Sequence, residues 1–224
     1  MIHIEKGPAP AELAQAVREM KATPDAAVSY ESLRGDAKDA VKASLVAEQH
    51  GLCAYCTRRI KADGKSSIEH IVPQHGPDGV DHPAESLDYG NMLAVCRPGD
   101  GTQTCDRSRG NAPMKVSPLD ERTLSGIRYT RGGEIHSIDP AIDHDLCVTL
   151  NLNDAEAHLP QGRRSTWESV NKKVEKVVAK GAGRHAASEC EKMRAALLTS
   201  DIYPEHAGLI LARLDHFIGK FGRS

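Results

Sequence analysis

Four cysteines flank the dipeptide Glu69-His70 near the middle of the chain. They are Cys53, Cys56, Cys96 and Cys105. The first two form a Cys-x-x-Cys pair, which places two thiolates on one tight turn, and a second pair from a distant loop can complete a tetrahedral zinc site. A site with four protein ligands has no open coordination position. The spacing therefore predicts a structural Zn²⁺ ion that holds the segment between the pairs rigid.

The same cysteines could instead form a redox motif or a chance cluster of buried thiols. A redox Cys-x-x-Cys needs a βαβ setting, but this pair follows His50-Gly51, which is typical of a helix end, and precedes Thr57-Arg58-Arg59. The second pair is spaced Cys-x₈-Cys, and residues 98–101 (Pro-Gly-Asp-Gly) predict a loop that returns the chain to the metal. We interpret Cys147 and Cys190, which lie outside the cluster, as small buried apolar residues rather than ligands.

Between the cysteine pairs, residues 67–73 form an apolar, β-branched run, Ser-Ile-Glu-His-Ile-Val-Pro, which predicts a strand. A carboxylate and an imidazole are unfavourable in such a run unless they are used. Because side chains alternate along a strand, Glu69 and His70 can share one site only where the strand is twisted or ends. An imidazole has a pKa near neutrality, so His70 is a candidate general base.

The composition sets broad limits on the class of protein. With 224 residues, of which 39% are hydrophobic and 4% aromatic, the chain is long enough for one domain but implies no aromatic platform for stacking bases. The net charge is −2, and the 12 Lys and Arg against 7 Asp and Glu in residues 161–224 are typical of a solvated helical surface. No apolar stretch approaches transmembrane length, and the first residues lack a signal-peptide core. With metal-like cysteine spacing, we expect a cytoplasmic protein without membrane association.

The pattern along the chain predicts an α+β fold, mainly α, in four segments. These are residues 1–51 with a short strand and helices, 52–119 with the zinc-stabilised module, 120–164 as a connection, and 165–224 as a helical region. Ile2-x-Ile4 predicts the short strand, and apolar spacing predicts helices after Pro10 and within residues 30–50. Ser165-Thr-Trp-Glu168 matches a capping box and predicts the start of the first of three C-terminal helices. The apolar stripes of these helices are explained most simply by packing.

Three motifs accompany the first cysteine pair. They are Ile-Glu-His-Ile-Val-Pro at 68–73, Tyr-Gly-Asn-Met-Leu-Ala-Val-Cys at 89–96, and Cys-Asp-Arg-Ser-Arg-Gly-Asn at 105–111. In this order they resemble the HNH nucleases, over roughly residues 50–115. The resemblance implies a ββα-metal module, here with a Cys₄ zinc site and flanked by N- and C-terminal helices. It also implies hydrolysis of nucleic-acid phosphodiester bonds with a catalytic Mg²⁺ or Mn²⁺ ion.

The resemblance implies a role for each residue that matches the family's pattern. His70 would activate the attacking water as a general base, and Glu69 would hold the divalent ion. Asp106 stands where the family usually has Asn after the last cysteine. Because aspartate is a hard oxygen ligand, we favour Asp106 over Asn111 as the second ligand of the ion. The other role open to Asp106 is to cap the short helix that begins there.

Asn91 matches the family's middle asparagine, which implies that it fixes the catalytic loop and orients His70 by a hydrogen bond. A turn-forming Asn after Gly90 is the alternative. Arg107 and Arg109 lie close to the site in the sequence, and guanidinium groups suit phosphate oxygens. Either could instead be an ordinary exposed arginine.

The chain is also similar to a narrower group, the HNH proteins of retron and Septu anti-phage systems. The matching features are residues 1–6 (Met-Ile-His-Ile-Glu-Lys), 48–56 (Glu-Gln-His-Gly-Leu-Cys-Ala-Tyr-Cys) and 150–153 (Leu-Asn-Leu-Asn). This similarity implies a defence effector that works with an ATPase subunit, for which residues 165–224 are the expected docking region. DNA is favoured over RNA as the substrate.

Two further functions fit the same residues. A stand-alone restriction-type HNH endonuclease needs its own specificity domain, and the C-terminal residues show no recognition helix or winged motif. A non-catalytic zinc-binding adaptor would carry Glu69-His70 as a surface pair and would show no dependence on divalent ions. The predicted module contacts phosphates rather than bases, so DNA and RNA both remain open.

Overall fold

The computed structural model describes residues 1–76, 81–97 and 102–222, and this part of the chain has an α+β structure in which helices predominate. The helices are Ala11–Ala22 (α1), Gly35–Glu48 (α2), Pro83–Ser86 (α3), Asp106–Arg109 (α4), Glu121–Leu124 (α5), Pro140–His144 (α6), Leu159–Val178 (α7), Arg184–Leu198 (α8) and Ala207–Phe221 (α9). The strands are Ser66–His70 (β1), Met92–Cys96 (β2), Ile127–Tyr129 (β3) and Ile135–Ser137 (β4). A 3₁₀ turn at Tyr89–Asn91 precedes β2, and a π-helical turn at Asp145–Thr149 follows α6. The loop predicted at residues 98–101 lies outside the described residues.

Strands β1 and β2 form an antiparallel pair that carries the candidate catalytic residues. In their register Glu69 lies opposite Leu93 and His70 opposite Met92. Every residue of β2 is buried, because the strand is apolar along its length and α2 packs against it. Buried Gln49, at the end of α2, accepts from the Ala94 amide at 2.7 Å and donates to the Ala94 carbonyl at 2.7 Å. The end of α2 is thereby fixed to the middle of β2.

The second antiparallel pair, β3 with β4, turns through Gly133 and lies against the start of α7. Gly133 has φ +92°, and a Cβ built on it would lie 2.0 Å from the Pro160 carbonyl oxygen. Only glycine combines this backbone conformation with so close an approach. The hairpin falls in the segment predicted as a connection, so that segment is structured rather than a linker.

Within the described residues, the predicted strand at Ile2-x-Ile4 is absent. Ile4 is buried and its amide donates to the Pro118 carbonyl at 2.9 Å, but residues 2–4 join neither of the two strand pairs. The helix predicted after Pro10 is α1, and the helix predicted within residues 30–50 is α2, which begins later, at Gly35.

The C-terminal region begins at Leu159, earlier than the predicted start at Ser165. Pro160 occupies the first turn of α7, where its missing amide proton is not needed. The supposed capping box lies inside the helix, where Arg164 and Glu168 form an ion pair at 3.2 Å. The three apolar stripes pack on one another around Val170, Val174, Cys190 and Leu214, as expected for a packing role.

A single large core joins the N-terminal helices, the cysteine cluster, β2 and the β3–β4 hairpin, from Met1 to Leu159. The first three predicted segments therefore share their apolar interior. Residues 203–206 attach the C-terminal helices to the cysteine turn, because the Tyr203 amide donates to the His50 carbonyl at 3.1 Å and the His206 amide to the Thr57 carbonyl at 2.9 Å. In the described ranges, every helix is too short or too polar to cross a membrane.

Candidate metal centre and active site

The four predicted cysteine ligands meet in the buried core with their sulfur atoms within 4.8 Å of one another. The Sγ–Sγ distances are 3.9 Å for Cys53–Cys105, 3.6 Å for Cys56–Cys96 and 3.6 Å for Cys96–Cys105. Thiolates at about 2.3 Å from a tetrahedral Zn²⁺ ion lie about 3.8 Å apart, whereas disulfide sulfurs lie about 2.05 Å apart. The cysteines are thus spaced as ligands of a structural metal ion.

Local backbone geometry brings the four sulfurs together. The Cys53 amide donates to the Arg58 carbonyl at 2.9 Å and the Thr57 amide to the Cys53 carbonyl at 3.1 Å, which closes the first pair into a turn. Cys96 is the last residue of β2, and Cys105, at φ +56°, directly precedes α4. The cluster therefore joins the cysteine turn, the end of β2 and the start of α4 at one point.

The cluster also needs positive charge. Burial raises the pKa of the Cys53 thiol, while hydrogen bonds from the neighbouring thiols, that of Cys105 foremost, hold the pKa of Cys56 well below its ordinary value. Arg58 contributes one cation, with its Nη2 atom 3.9 Å from the Cys96 sulfur. A metal ion allows all four thiols to be ionised, which one guanidinium does not.

His70 ends β1 with only 4% of its surface exposed and with both ring nitrogens engaged. Nε2 lies 3.0 Å from the Ser86 carbonyl, which can only accept, so Nε2 carries the proton. Nδ1 then has a free lone pair and accepts from the Gln74 side-chain amide at 3.1 Å. Burial lowers the pKa of His70, which favours the neutral ring. Nδ1 is therefore the basic atom.

Glu69 is a buried carboxyl that faces both a cation and a second acid. Its Oε1 atom accepts from the Tyr55 hydroxyl at 3.0 Å and from Arg109 Nη1 at 2.5 Å. Burial, reinforced by the Asp106 carboxylate and opposed by Arg109, raises the pKa of Glu69 to about 7. Asp106 also accepts from the Ser67 hydroxyl at 3.2 Å. Asp106 is the first residue of α4, and Cys105 is the residue at the N-cap, so the alternative capping role does not apply to Asp106.

Glu69, His70 and Asp106 line one open cleft of about 490 Å³, and Asn111 lies at the same cleft. Glu69 and His70 are neighbours on β1, and both reach the cleft because the strand ends at His70. In the described part of the chain, the groups of side chains whose three or more ligand atoms lie within 4.8 Å of one another do not include Glu69, His70 and Asp106. The cleft therefore presents a carboxylate pair beside a basic nitrogen rather than a closed ligand cage.

Asn91 positions the segments around His70 but does not bind its ring. Its Oδ1 accepts from the Val72 amide at 2.7 Å, and its Nδ2 donates to the carbonyls of Val72 and Glu85, each at 3.0 Å. The imidazole is oriented instead by the hydrogen bond that its Nε2 donates to the Ser86 carbonyl, which corrects the predicted contact. Asn91 is a positioning residue that ties together the segments on either side of the histidine.

Arg109 does not line the cleft, contrary to the predicted phosphate contact. Its side chain is 1% exposed. Beyond Glu69, it donates to the carbonyls of His70 at 2.8 Å and Ile71 at 2.5 Å. Together with the Ala112 carbonyl, which accepts from Nε at 3.1 Å, these acceptors fix the guanidinium, so Arg109 holds the end of β1 in place. Arg107 is exposed on the other side of α4.

Neither protein-family models nor curated proteins match this chain. The chemistry assigned to the cleft therefore depends on the geometry of the site and on the motifs in the sequence.

A second cleft next to Asp106 carries basic residues. It is lined by the predicted phosphate-contact residue Arg107 and by Lys38, Lys42 and Arg97, which the sequence did not single out. Lys38 and Lys42 are four residues apart and so share one face of α2. In the sequence this spacing is equally typical of an ordinary solvent-exposed helix. Tyr30 was also missed, and its ring meets the His70 ring edge-on at 4.8 Å.

The cysteines outside the cluster differ from each other. Cys190 is buried among the C-terminal helices, as predicted. Cys147 is only half-buried and lies beside His136 and Asp143, so its interpretation as a buried apolar residue was wrong.

Replacing Cys105 by Ser should remove the tightly bound metal ion and greatly reduce the melting temperature, because a structural zinc ion contributes folding free energy directly. Elemental analysis after extensive dialysis and a thermal melt provide the two measurements. Cys190→Ala is the matched control and should keep the metal. A Cys105→Ser protein with unchanged metal content and stability would contradict the assignment.

At pH 8, where Glu69 is ionised, Arg109→Ala should lower the free energy of unfolding by about 3–5 kcal/mol, because it leaves the carboxylate buried without its cation. Arg107→Ala, at an exposed position of the same short helix, should lower it by much less. Urea unfolding measures both. Equal effects of the two substitutions would show that Arg109 is not the buried partner of Glu69.

Stability should fall between about pH 4.5 and 7 in protein freed of Mg²⁺ and Mn²⁺. The folded state holds a proton on Glu69 up to about pH 7, whereas an unfolded Glu loses it near 4.5. The difference corresponds to about 3 kcal/mol of stability, lost as the pH rises through this window. Glu69→Gln should flatten this dependence relative to the parent, and parallel pH profiles of the two proteins would refute the shift.

Proposed function

We propose that this chain is a metal-dependent HNH-type nuclease that hydrolyses nucleic-acid phosphodiester bonds, with DNA favoured over RNA. The observation that carries the proposal is that Glu69, His70 and Asp106 line one open cleft, with Nδ1 as the basic nitrogen of the His70 ring. The residues that place these groups lie on β1, β2 and α4, in the order expected of a ββα module. The cysteine cluster, with Zn²⁺ as its proposed ion, would fix the end of β2 and the start of α4.

The residues of the cleft fit a hard divalent ion. Carboxylate oxygens are the ligands that Mg²⁺ and Mn²⁺ prefer. Burial and the nearby Asp106 carboxylate raise the pKa of Glu69. A divalent cation would stabilise both carboxyls as anions. We assign Glu69 and Asp106 as its ligands and leave Asn111, at the same cleft, as the alternative second ligand. When bound, the ion supplies stabilisation of the leaving oxygen and of the phosphoryl charge.

His70 performs the proton transfer in this mechanism. A water molecule at Nδ1 takes the place of the Gln74 amide, gives its proton to Nδ1 and attacks phosphorus, while the bond from phosphorus to the leaving oxygen breaks. The Ser86 carbonyl keeps the proton on Nε2 and holds the ring, and it stabilises the imidazolium that forms. Lys38, Lys42 and Arg107 line the neighbouring cleft, where cations can hold the flanking phosphates.

The partnership with an ATPase subunit is supported by the similarity to retron and Septu proteins, and we propose residues 165–224 as the docking region. Their apolar stripes pack on one another, so we propose for the partner the groove of about 880 Å³ that Trp167 and Arg194 line together with residues from 1–3 and 121–129. The backbone contacts of Tyr203 and His206 with the cysteine turn would relay such binding to the nuclease module. We place this effector in the cytoplasm.

His70→Ala should reduce the rate of divalent-dependent DNA cleavage by about 10²–10⁴-fold, because the general base is lost. Since His70 is buried, the variant is also expected to lose some stability, and circular dichroism must first establish that it is folded. Added imidazole should partly restore cleavage by filling the vacated space. His75→Ala, at the same cleft but exposed, is the matched control and should retain most activity.

Cleavage by folded His70→Ala at the parental rate, or cleavage by the parent without divalent ions, would overturn the assignment. Assays of the chain alone and with any ATPase found to be encoded beside it separate the two HNH alternatives. Activity of the chain alone favours a stand-alone restriction-type enzyme. If the parent neither cleaves DNA or RNA nor gains activity with the partner, the non-catalytic adaptor is the better account.

A further inference from the structure

We propose that His136, Asp143 and Cys147 form a second metal site, which takes a borderline divalent ion such as Zn²⁺ and keeps one coordination position open. The three side chains come from β4, from α6 and from the π-helical turn that follows α6. Their ligand atoms all lie within 4.8 Å of one another. The site is independent of the cysteine cluster and of the proposed nuclease cleft.

The distances between the ligand atoms match those around a tetrahedral ion. His136 Nδ1 lies 3.2 Å from Asp143 Oδ1, and Cys147 Sγ lies 3.7 Å from each of these two atoms. With ordinary zinc bond lengths, tetrahedral N and O ligands are about 3.3 Å apart, and sulfur is about 3.5 Å from either. The geometry needs little adjustment to hold an ion at its centre.

A catalytic Cys–His–Asp relay is the main alternative, and the geometry argues against it. In a relay the nucleophile and the carboxylate contact opposite nitrogens of the imidazole. Here the sulfur and the carboxylate both approach Nδ1 of His136, so three ligand atoms converge on one point, where a cation can bind.

Neighbouring groups hold the ligands in place. The Ser137 amide donates to Asp143 Oδ1 at 2.9 Å. Asn153 donates to Cys147 Sγ at 3.4 Å, and its carbonyl oxygen accepts from the Ile135 amide at 2.8 Å. Such outer contacts orient metal ligands and tune their basicity. They also give a role to the last residue of the Leu-Asn-Leu-Asn motif.

The exposure and the ligand types define what the site can take. The side chains of His136 and Asp143 are 44% and 37% exposed, so the fourth position faces solvent, as in zinc sites that exchange or activate a ligand. A thiolate and an imidazole favour Zn²⁺ or Co²⁺ over Mg²⁺ or Mn²⁺. The ion proposed for the nuclease cleft is therefore not expected here.

Titration with Co²⁺ of the full chain carrying one equivalent of zinc, enough for the four-cysteine cluster alone, tests the proposal under reducing and oxygen-free conditions. We expect a near-ultraviolet thiolate-to-cobalt band that saturates at one equivalent, with no release of zinc. Cys147→Ser should abolish the band, and Asp143→Asn, which keeps the thiol, should weaken cobalt binding at least tenfold. Cys190→Ala is the control and should give the parental titration. Circular dichroism establishes that each variant is folded.

Two results would overturn the second site. One is the absence of any cobalt band in the parent. The other is an undiminished band in Cys147→Ser accompanied by zinc release, which would place cobalt in the four-cysteine cluster. Neither result bears on the nuclease proposal, because that proposal depends on His70 and the carboxyls of a different cleft.

Discussion

The convergence of four cysteine sulfurs is the constraint on which the rest of the site depends. The residues that surround Glu69 are all close in sequence to a cysteine of the cluster: Tyr55 lies within the first pair, and Asp106 and Arg109 follow Cys105 on α4. A turn and a one-turn helix are too short to hold a fixed position alone, because they bury little surface. A metal ion bound to the sulfurs would fix both, and with them the hydroxyl, the carboxylate and the guanidinium that meet at Glu69.

Glu69 shows how this scaffold sets the protonation state of a side chain. Arg109 and Tyr55 hold its Oε1 atom from one side, while burial and Asp106 favour its protonated form. The carboxyl is thus held in place while Arg109 only partly compensates its negative charge. This suits the role of divalent-ion ligand that we propose for it. His70 stands next to it with a neutral ring whose basic nitrogen is directed by a backbone carbonyl. Glu69 and His70 thus have different surroundings although they are adjacent in sequence.

The sequence predicted the parts of this arrangement that depend on spacing. The cysteine cluster, α1, α2 and the three C-terminal helices follow from periodicity and motif, and so does the position of Glu69, His70 and Asp106 near one another. It did not reveal which of Arg107 and Arg109 turns inward, since that depends on where α4 lies against β1. Nor did it predict the start of α7 or the surroundings of Cys147, because the β3–β4 hairpin that determines both is built from two strands of three residues each. Ile2-x-Ile4 alternates like a strand but finds no partner strand in the described part of the chain.

The most direct test is to locate the proposed catalytic ion. Crystals of the protein soaked in Mn²⁺ would show, by anomalous scattering, where a hard divalent ion binds. We predict a manganese peak within coordination distance of the Glu69 and Asp106 carboxylates, beside His70 Nδ1. A cleft without manganese, in crystals whose four-cysteine site is filled, would contradict the central claim that the cysteine cluster positions a metal-dependent active site.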